Sequence, residues 1–565
     1  MNVAGTFQSA RILFSSFSTQ IFFVFLLGLI LRFASLDLKL FHHDEAIHAW
    51  FAYELLTKGT YVYDPMYHGP LLYYLTAGMF FLLGSSDLVG RLLPALFGTL
   101  LVPLVYAMYT LGYLDRKQAL IAALFVAVSP DLVYFSRFLR HDIFQLFFTL
   151  LILVALLAYI ERKKSRYALV AGLAIGGGMC LKEDMPLFLV LLAIFGIYLL
   201  WRRDGTVPAT WRRDLIGALL IATGVMALFY SSFGMHPEVL ETGLFKAFDH
   251  WTAMHGQCRI CGPWFFYIIL FLLYELPVFI LALWALGEFS SRHNPLAGIT
   301  AHVQSCTGSL VRRLRKTGEV PIPGGEQGAA QSSQKSAHRS RIDRKELFFF
   351  FTTAWFLSTL AAYAYIGEKV PWLIIHQLLP AILLSVYLMG TRKMVFALAG
   401  CVFLLLMAVH VAFIPADINE PIVQVQNSED MRTVMALIDA SDSVAIASEN
   451  YWPLPWYYRG GKWNRMHFYG KIVDEDTIYQ LDPDMVITHD QASFVSLSGY
   501  EKRTYKLAYW FSIYDNENRI PEYYVKRDGK MGSINLDIFT KPGLFEKAGM
   551  TPSPALYPPT TPSPV

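Results

Sequence analysis

Charged residues and cysteines are both scarce in this sequence. Only 16% of its 565 residues are Asp, Glu, Lys or Arg, against about 25% in an average soluble protein. Five cysteines are too few for a disulfide framework, and a net charge of +3 indicates no polyanionic partner. With 55% hydrophobic residues and a mean hydropathy of +0.40, the composition excludes a soluble globular enzyme, a disordered protein and a nucleic-acid binder.

Long apolar runs are abundant instead, and they predict a polytopic α-helical membrane protein. Only a helix satisfies its own backbone inside lipid, so runs of about 17–25 apolar residues indicate spans. The shorter run 71–84 predicts a helix lying at the interface. About eleven spans are expected, namely 12–36, 88–112, 118–135, 142–160, 167–181, 185–201, 214–232, 263–287, 346–366, 372–390 and 394–414.

The distribution of Lys and Arg predicts the orientation of these spans. Basic residues concentrate on alternate connections, the most basic being 288–345 with its RRLRK segment. By the positive-inside rule, the N-terminus and this loop are cytoplasmic, in a multi-pass protein of the cell membrane. The Gly, Ser and Gln residues that follow RRLRK are typical of a mobile linker.

Hydrophobic periodicity changes after residue 414, which predicts a second domain. SEDMRTVMALIDA is typical of a helix opened by a Ser N-cap, and SVAIAS, DMVITHD and TYKLAYWFSIY are typical of strands. We therefore expect a membrane domain over 1–414, a small extracytoplasmic α/β domain over 415–545, and a disordered Pro-rich tail over 546–565.

Polar residues gather on the connections predicted to face outward. Such groups cost several kcal/mol at membrane depth unless they are paired or hydrated, so they usually face a cavity. Convergence in one crevice is therefore expected, and ion pairs that only lock helix ends are the alternative. The motifs FHHDEAIHAW, YDPMYHGPLLYYL, FSRFLRHDIF, CLKEDMP and YIGEKVPW supply Asp44, Glu45, His68, Arg137, Arg140, His141, Asp142, Lys182, Glu183, Glu368 and Lys369.

Carboxylates beside cations suit one kind of chemistry, the transfer of a sugar from a lipid phosphate. A carboxylate accepts the proton of the acceptor hydroxyl, and Arg or Lys stabilises the phosphate that departs. No nucleotide sugars are supplied outside the cell, so a lipid-linked donor is the natural substrate of an outward-facing membrane enzyme. A protein that transports or hands over lipid-linked sugars without chemistry is the alternative, and a glycan-binding scaffold is a third hypothesis.

These motifs resemble those of GT-C membrane glycosyltransferases, in the branch of dolichyl-phosphate-mannose protein mannosyltransferases and bacterial aminoarabinose transferases. The resemblance rests on Asp44-Glu45, HGPLLYYL, GRLLPALFG, the segment 137–142 and Lys182, and returns in GEKVPWLIIHQLLPAILLS. The whole chain also resembles the archaeal family of flippase-activity-associated glycosylation proteins, most specifically in NEPIVQVQNSEDM and ENYWPLPWYYRG.

The resemblance implies a GT-C fold, an outward site and a polyprenyl- or dolichyl-phosphate sugar donor held at the membrane lipid. Asp44 would be the catalytic base, with Glu45 and Asp142 supporting the site. Arg137, Arg140, Lys182 and Lys369 would hold the phosphate. The acceptor stays open among glycan, lipid and protein, since the β-trefoil module of eukaryotic protein mannosyltransferases is not found.

Two weaker patterns leave alternatives open. HWTAMHGQCRICGPW places His250, His255, Cys258 and Cys261 within a short outer segment, where zinc binding or a local disulfide would fit. No cofactor is otherwise implied, although the histidines around Asp44 leave a divalent cation open. In the outer domain the aromatic cluster Trp452, Trp456, Tyr457 and Tyr458 suits either stacking on a sugar or packing in a core or interface.

Overall fold

The structure is a computed structural model that describes residues 16–202, 207–256, 262–293, 343–414, 417–470, 474–489 and 496–550. Its N-terminal part is helical, as predicted. Helices α1 to α9 are Phe17–Phe33, His43–Lys58, Leu71–Leu83, Asp87–Thr99, Leu101–Thr110, Arg116–Val128, Pro130–Phe135, His141–Arg162 and Ser165–Met179. Helices α10 to α17 are Met185–Arg202, Trp211–Tyr230, Glu238–Gly256, Phe266–Tyr274, Leu276–His293, Arg344–Tyr365, Ile374–Ser385 and Thr391–Phe413.

Several of these helices suit a membrane. Within the described residues, five helical segments are long and apolar enough to cross it. The first, Asp87–Thr110, consists of α4 and α5, and the others are His141–Arg162, Trp211–Tyr230, Arg344–Tyr365 and Thr391–Phe413. Four shorter apolar helices accompany them: Phe17–Phe33, Leu71–Leu83, Met185–Trp201 and Pro371–Ser385. A helix is therefore present in the run 71–84, whereas its position at the interface and the expected total of about eleven spans stay predictions.

The apolar run 263–287, predicted as one span, is interrupted in the structure. Helices α13 and α14 are bent by 113° where they meet, at Glu275. Pro277 explains the break, because proline has no N–H to donate and disfavours helical geometry in the residue before it. Apolarity alone gave no sign of this bend.

Helix α2 starts at a cap that fixes the residues following the first apolar helix. The His42 ring accepts a hydrogen bond from the Asp44 N–H at 3.0 Å, and the Glu45 carboxylate accepts one from the His42 N–H at 2.9 Å. Two backbone donors that would be orphaned at a helix start are thereby satisfied. The helix ends at Gly59 in the left-handed conformation. Asp44 thus lies in a first turn with a defined backbone.

The HGP motif packs directly on the motif CLKEDMP. The Gly69 N–H donates to the Leu181 carbonyl and the Leu71 N–H to the Cys180 carbonyl, both at 2.9 Å. A Cβ at position 69 would lie 2.3 Å from the Cys180 oxygen, so only glycine fits. Two outer connections are therefore held at backbone contact.

The C-terminal part contains a sheet domain, as predicted. Strands β1 to β6 are Gln426–Asn427, Val444–Ala447, Met466–Phe468, Met485–His489, Glu501–Phe511 and Met531–Thr540. Helices α18 to α23 are Asp430–Ala440, Leu454–Tyr457, Glu475–Leu481, Ile513–Asn516, Ile520–Lys526 and Leu544–Lys547. The strand order is β1-β5-β6-β4-β2-β3, in which β2, β3 and β4 are parallel and the other pairs antiparallel.

The predicted helix and the strands SVAIAS and DMVITHD are found as α18, β2 and β4. Strand β5 begins before TYKLAYWFSIY, at Glu501, and ends before it, at Phe511. The last residues of that motif were wrongly predicted as strand, since Ile513 and Tyr514 belong to α21, and β6 was missed. The domain boundaries at 414 and 545 stay predictions. Most of the basic loop 288–345 and nearly all of the Pro-rich tail lie outside the described residues.

The sheet domain docks on the helical part through an aromatic side chain. Trp456 contacts the rings of Phe41 and Phe80, with centroids 5.4 Å away in each case. Its Nε1 donates to Asp87 Oδ1 at 2.7 Å, and the Tyr457 hydroxyl donates to Asp87 Oδ2 at 2.6 Å. Of the two readings of the aromatic cluster, packing at an interface therefore holds for Trp456 and Tyr457.

Candidate functional site

Four charged side chains from three of the connections predicted to face outward form one chain of ion pairs. The Arg140 guanidinium contacts the Asp44 carboxylate through Nη1 and lies 3.3 Å from Asp142 Oδ2 through Nε. The Lys182 ammonium contacts the other oxygen of Asp142 at 2.5 Å. The convergence predicted for Asp44, Arg140, Asp142 and Lys182 is thus present, and in this order along the chain of contacts.

Exposure distinguishes the two carboxylates of this chain. The Asp44 side chain keeps 28% of its surface exposed, whereas the Asp142 side chain keeps 2%. Burial alone would raise the pKa of Asp44, but the Arg140 guanidinium and the histidines around it outweigh burial and hold this pKa below its ordinary value. Asp44 is therefore ionised at neutral pH and reachable by a substrate.

The Trp372 ring packs against the face of the Arg140 guanidinium. The guanidinium carbon lies 3.8 Å from the centroid of the Trp372 indole, a cation–π contact with a buried ring. Planar guanidinium groups stack in this way while their N–H donors stay free to bind carboxylate or phosphate oxygens. Arg140 is thus oriented by a ring on one face and by carboxylates at its edge.

A cavity extends from this cluster between α8, α10 and α15. It has a volume of about 150 Å³, and Asp184 and His376 lie at its polar end. His376 Nε2 lies 3.4 Å from Asp142 and 3.6 Å from Asp184, which joins the cavity to the ion-pair chain. Its remaining walls include the apolar side chains of Leu146, Met185, Leu187, Phe188, Leu191, Trp355 and Ala362.

The predicted residues His68, His141 and Glu183 form a neighbouring polar cluster. His68 Nδ1 lies 2.8 Å from Glu183 Oε2, and Glu183 also accepts from the Tyr63 hydroxyl at 3.3 Å. His141 bonds the Gly69 carbonyl at 3.0 Å, and its ring centroid lies 5.2 Å from that of His68. Trp251 stacks parallel to His68 at 5.2 Å. These groups adjoin the ion-pair chain without contacting Asp44.

Glu45 is bound on all sides by protein groups. Arg91 donates to it twice, at 2.8 and 2.6 Å, and the Leu139 N–H donates at 2.8 Å in addition to the His42 N–H. Its side chain is 1% exposed. These contacts tie α2 to α4 and to the connection before α8, which fits a supporting role. The part of Glu45 in the catalytic group with Asp44 and Asp142 stays a prediction.

Two of the predicted phosphate ligands are engaged by backbone carbonyls. Arg137 donates to the carbonyls of Leu31, Arg32, Ala34 and Ser35 at the end of α1. Lys369 donates to those of Tyr363, Ala364 and Ile366 at the end of α15. Cations at helix C-termini satisfy orphan carbonyls and oppose the helix dipole. Glu368 is half-buried and makes no ion pair within the described part of the chain.

The C-terminal domain holds the segment just before Asp44. Asn427 Nδ2 donates to the Phe41 carbonyl at 2.7 Å, and Gln426 Nε2 donates to the Leu40 carbonyl at 3.2 Å. The His42 Nε2 bonds the Gln424 carbonyl. The motif NEPIVQVQNSEDM therefore reaches the candidate site by clamping the loop that leads into α2.

No metal centre is seen among the described side chains, where no three His, Cys, Asp or Glu converge as metal ligands would. Of the predicted zinc ligands, His250 packs edge-on against Trp251. The His255 side chain, Cys258 and Cys261 lie outside the described residues, so zinc and the disulfide both stay predictions. Around Asp44, the His42 nitrogens are both engaged in hydrogen bonds, and so is His48 Nδ1, with the Tyr73 hydroxyl at 2.9 Å.

Three residues of the candidate site were not predicted as site residues from the sequence: Asp184, Trp372 and His376. His376 lies in the apolar segment LIIHQLLP, and a lone polar residue at that depth was a usable signal. Trp372 carried no such signal, because outer interfaces are rich in tryptophan for other reasons.

The family and fold comparisons agree with this architecture. Residues 67–231 match the family model for dolichyl-phosphate-mannose-protein mannosyltransferase. ArnT from Cupriavidus metallidurans, bound to undecaprenyl phosphate, is 14% identical with a TM-score of 0.51, and the match covers 94% of this chain and 99% of that chain. The chain is thus a multi-pass membrane protein with a GT-C fold, and the predicted fold class is confirmed.

Two other solved structures are similar to the chain at lower TM-scores. The archaeal oligosaccharyltransferase AglB from Archaeoglobus fulgidus, in complex with an inhibitory peptide and a dolichol-phosphate, is 12% identical with a TM-score of 0.46, over 92% of this chain and 74% of that chain. The S. cerevisiae Pmt1-Pmt2 complex bound to the sugar donor is 23% identical with a TM-score of 0.34, over 39% of this chain. The chain spans only 33% of the Pmt1-Pmt2 chain that it matches. A search of curated proteins finds no match.

The cap of α2 predicts a loss of stability in acid. Burial lowers the pKa of His42 from its ordinary 6.5 to about 4, so the folded protein binds fewer protons than the unfolded chain between these values. The free energy of unfolding should then fall by up to about 3 kcal/mol as the pH drops from 6.5 to 4. His42→Asn keeps a capping acceptor and removes the titration. The His42→Asn variant should lose less stability than the native protein between pH 6.5 and pH 4. The measurement is the melting temperature of each protein in nanodiscs as a function of pH.

His467→Asn serves as the control, since His467 lies on β3, apart from the cap. His48 is also buried with a lowered pKa, so some acid sensitivity should persist in His42→Asn. An unchanged pH dependence in this variant would show that the cap does not sense acid.

Proposed function

We propose that this protein is a glycosyltransferase that moves a sugar from a polyprenyl- or dolichyl-phosphate donor to an acceptor on the extracytoplasmic face of the membrane. One observation carries the proposal. An accessible carboxylate, Asp44, shares Arg140 with the Asp142–Lys182 pair, next to a cavity between membrane helices. Base, phosphate-binding cations and an apolar recess are the three things that such a reaction requires.

The lipid phosphate is assigned to Arg140 and Lys182. Both side chains are only 9% exposed and both contact carboxylates, so each is already oriented and largely desolvated. Charge-assisted hydrogen bonds to a phosphate are strong in such surroundings. The apolar part of the cavity between α8, α10 and α15 would take the first isoprene units of the carrier. The match of residues 67–231 and the ArnT-like fold support this assignment.

Asp44 is assigned as the general base. It accepts the proton of the acceptor hydroxyl, whose oxygen then bonds the anomeric carbon. The bond between that carbon and the phosphate oxygen breaks, and its electron pair leaves with the lipid phosphate. Attack from the face opposite the phosphate inverts the anomeric configuration.

Donor binding would also activate this base. A phosphate that takes the Arg140 guanidinium removes the main cation that lowers the pKa of Asp44. The pKa of Asp44 should then rise, which makes it a better proton acceptor when the donor is in place. This coupling would limit activation of the acceptor to the loaded enzyme.

The outward direction of the site follows from the positive-inside rule, with the N-terminus in the cytoplasm and the C-terminal domain outside. The candidate site lies on the side of α8 that carries His141 and Asp142, opposite its basic end at Arg162. The archaeal branch named by the resemblance stays a prediction.

Asp44→Asn should reduce sugar transfer by about 100-fold or more, because the amide cannot accept the proton. Transfer would be measured with the protein in nanodiscs, radiolabelled undecaprenyl-phosphate hexoses as donors and membrane extract as acceptor. Asp37→Asn is the matched control, since Asp37 is an exposed carboxylate of the same outer segment. Full transfer by Asp44→Asn would remove it as the base. Translocation of the lipid-linked sugar without any transfer by the native protein would favour transport instead.

Lys182 is tested in a background that lacks its carboxylate partner, so that its removal leaves no unpaired Asp142. Asp142→Asn alone frees the Lys182 ammonium and should bind undecaprenyl phosphate at least as tightly as the native protein. The double variant Lys182→Met with Asp142→Asn keeps the packing but lacks the cation, and should bind about tenfold more weakly. Affinities would be measured in nanodiscs by titration with undecaprenyl phosphate.

Arg137→Gln is the control for this comparison, because Arg137 is engaged by the end of α1 and should not affect donor affinity. Equal affinities for the single and double variants would exclude Lys182 as a phosphate ligand. A large loss of affinity in Arg137→Gln, without a loss of stability, would return this residue to the donor site.

A further inference from the structure

Four aromatic side chains form a row of partly exposed rings beside the candidate site. We call the row Trp50, Tyr451, Trp452 and Phe468 the aromatic shelf. The Trp50 and Trp452 rings lie 6.1 Å apart, Trp452 and Tyr451 6.2 Å, and Tyr451 and Phe468 5.0 Å. Phe468 is 48% exposed and the other three are of intermediate exposure. The shelf is therefore continuous and open to solvent, unlike the buried ring of Trp456.

The shelf lies where α/β sheets bind ligands. Tyr451 and Trp452 follow the carboxyl end of β2, and Phe468 is the last residue of β3. The chain passes from β2 to β3 on one side and then to β4 on the other, so the strand order reverses at β2. A crevice at such a reversal, outside the carboxyl ends of parallel strands, is the usual ligand site of open α/β sheets.

The shelf is fixed relative to Asp44. Trp50 lies on the same helix, six residues after Asp44, which is about 9 Å along the axis. The β2–β3 connection that carries Tyr451 and Trp452 is attached to the membrane domain through Asp87, as described for Trp456 and Tyr457. Arg459 adds hydrogen bonds to Ser85 and a contact 5.4 Å from the Tyr53 ring.

The chemistry of the shelf fits a saccharide. A sugar ring has an apolar face of C–H groups that packs on aromatic rings, and hydroxyls at its edge that need polar partners. Asn450 and the exposed Glu449 directly precede the shelf rings on the chain and supply such partners. The shelf belongs in part to the water-facing sheet domain, where an acyl chain would be out of the bilayer.

We propose that the aromatic shelf binds the acceptor of the transfer reaction, and that this acceptor is a saccharide chain whose terminal hydroxyl reaches Asp44. The proposal rests on the proposed function and adds the class of acceptor to it. The sugar residues that follow the terminal one would stack on Trp50 and Trp452. Sugar residues still farther from the terminus would stack on Tyr451 and Phe468. A peptide or an acyl chain would not need this arrangement.

Binding of free oligosaccharides tests the shelf apart from catalysis. The full-length protein would be placed in nanodiscs, free of glycoside detergents. It would be titrated with fluorescently tagged oligosaccharides of two to five glucose, mannose, galactose or N-acetylglucosamine residues. At least one probe should bind the native protein. The combined change Trp50→Ala and Trp452→Ala should weaken this binding about tenfold, since each stacked ring contributes a factor of several.

Three matched variants make the result specific. Trp50→Phe with Trp452→Phe keeps the ring faces and should retain binding, which separates stacking from misfolding. Trp264→Ala removes a tryptophan that is 66% exposed elsewhere and should bind as the native protein does. Asp44→Asn should bind oligosaccharide normally while transferring no sugar.

The outcomes separate the two proposals. No binding of any probe by the native protein, or equal binding by the alanine double variant, would overturn the shelf as a saccharide site. Binding of a tagged peptide pool that depends on Trp50 and Trp452 would overturn it in favour of a protein acceptor. Intact oligosaccharide binding together with full transfer by Asp44→Asn would instead contradict the proposed function and leave the shelf standing.

Discussion

The Arg140 guanidinium lies between two carboxylates, and the candidate site is organised around this contact. Asp44 and Asp142 come from connections almost a hundred residues apart in the sequence. Without a cation between them, the two carboxylates would repel each other. Arg140, together with Lys182, neutralises both. Because a phosphate can replace Asp44 as a partner of Arg140, the same contact that stabilises the site can respond to a donor.

Charged residues around the candidate site divide into those bound by the protein and those left with room for a substrate. Glu45, Arg137 and Lys369 are bound by guanidinium, amide or carbonyl groups at helix ends. Asp44, Arg140 and Lys182 are joined through Arg140 and Asp142 in one chain of ion pairs, which His376 connects to the cavity. Buried charges with saturated partners hold a scaffold together, whereas those paired only among themselves can exchange a partner for a ligand.

Much of this arrangement could be predicted from the sequence, and the remainder could not for identifiable reasons. The apolar runs predicted a polytopic helical membrane protein, and the clustering of polar residues on alternate connections predicted the meeting of Asp44, Arg140, Asp142 and Lys182. The GT-C fold was implied by the resemblance of the motifs. Nothing in the sequence distinguished Arg140 from Arg137, because capping of α1 depends on the direction in which its last carbonyls point. The contact of Trp372 with Arg140 likewise depends on how the helices cross. The bend at Glu275 and the role of His376 did have local signals, in Pro277 and in an ionisable residue within an apolar run, which a count of apolar residues does not use.

The most direct test of this account is a cryo-EM structure of the protein in nanodiscs with undecaprenyl phosphate. The account predicts density for the phosphate within hydrogen-bond distance of Arg140 and Lys182, with the carrier entering between α8, α10 and α15 and Asp44 released from Arg140. A phosphate bound at Arg137 or Lys369, or an ion-pair chain left intact with the lipid bound elsewhere, would contradict it.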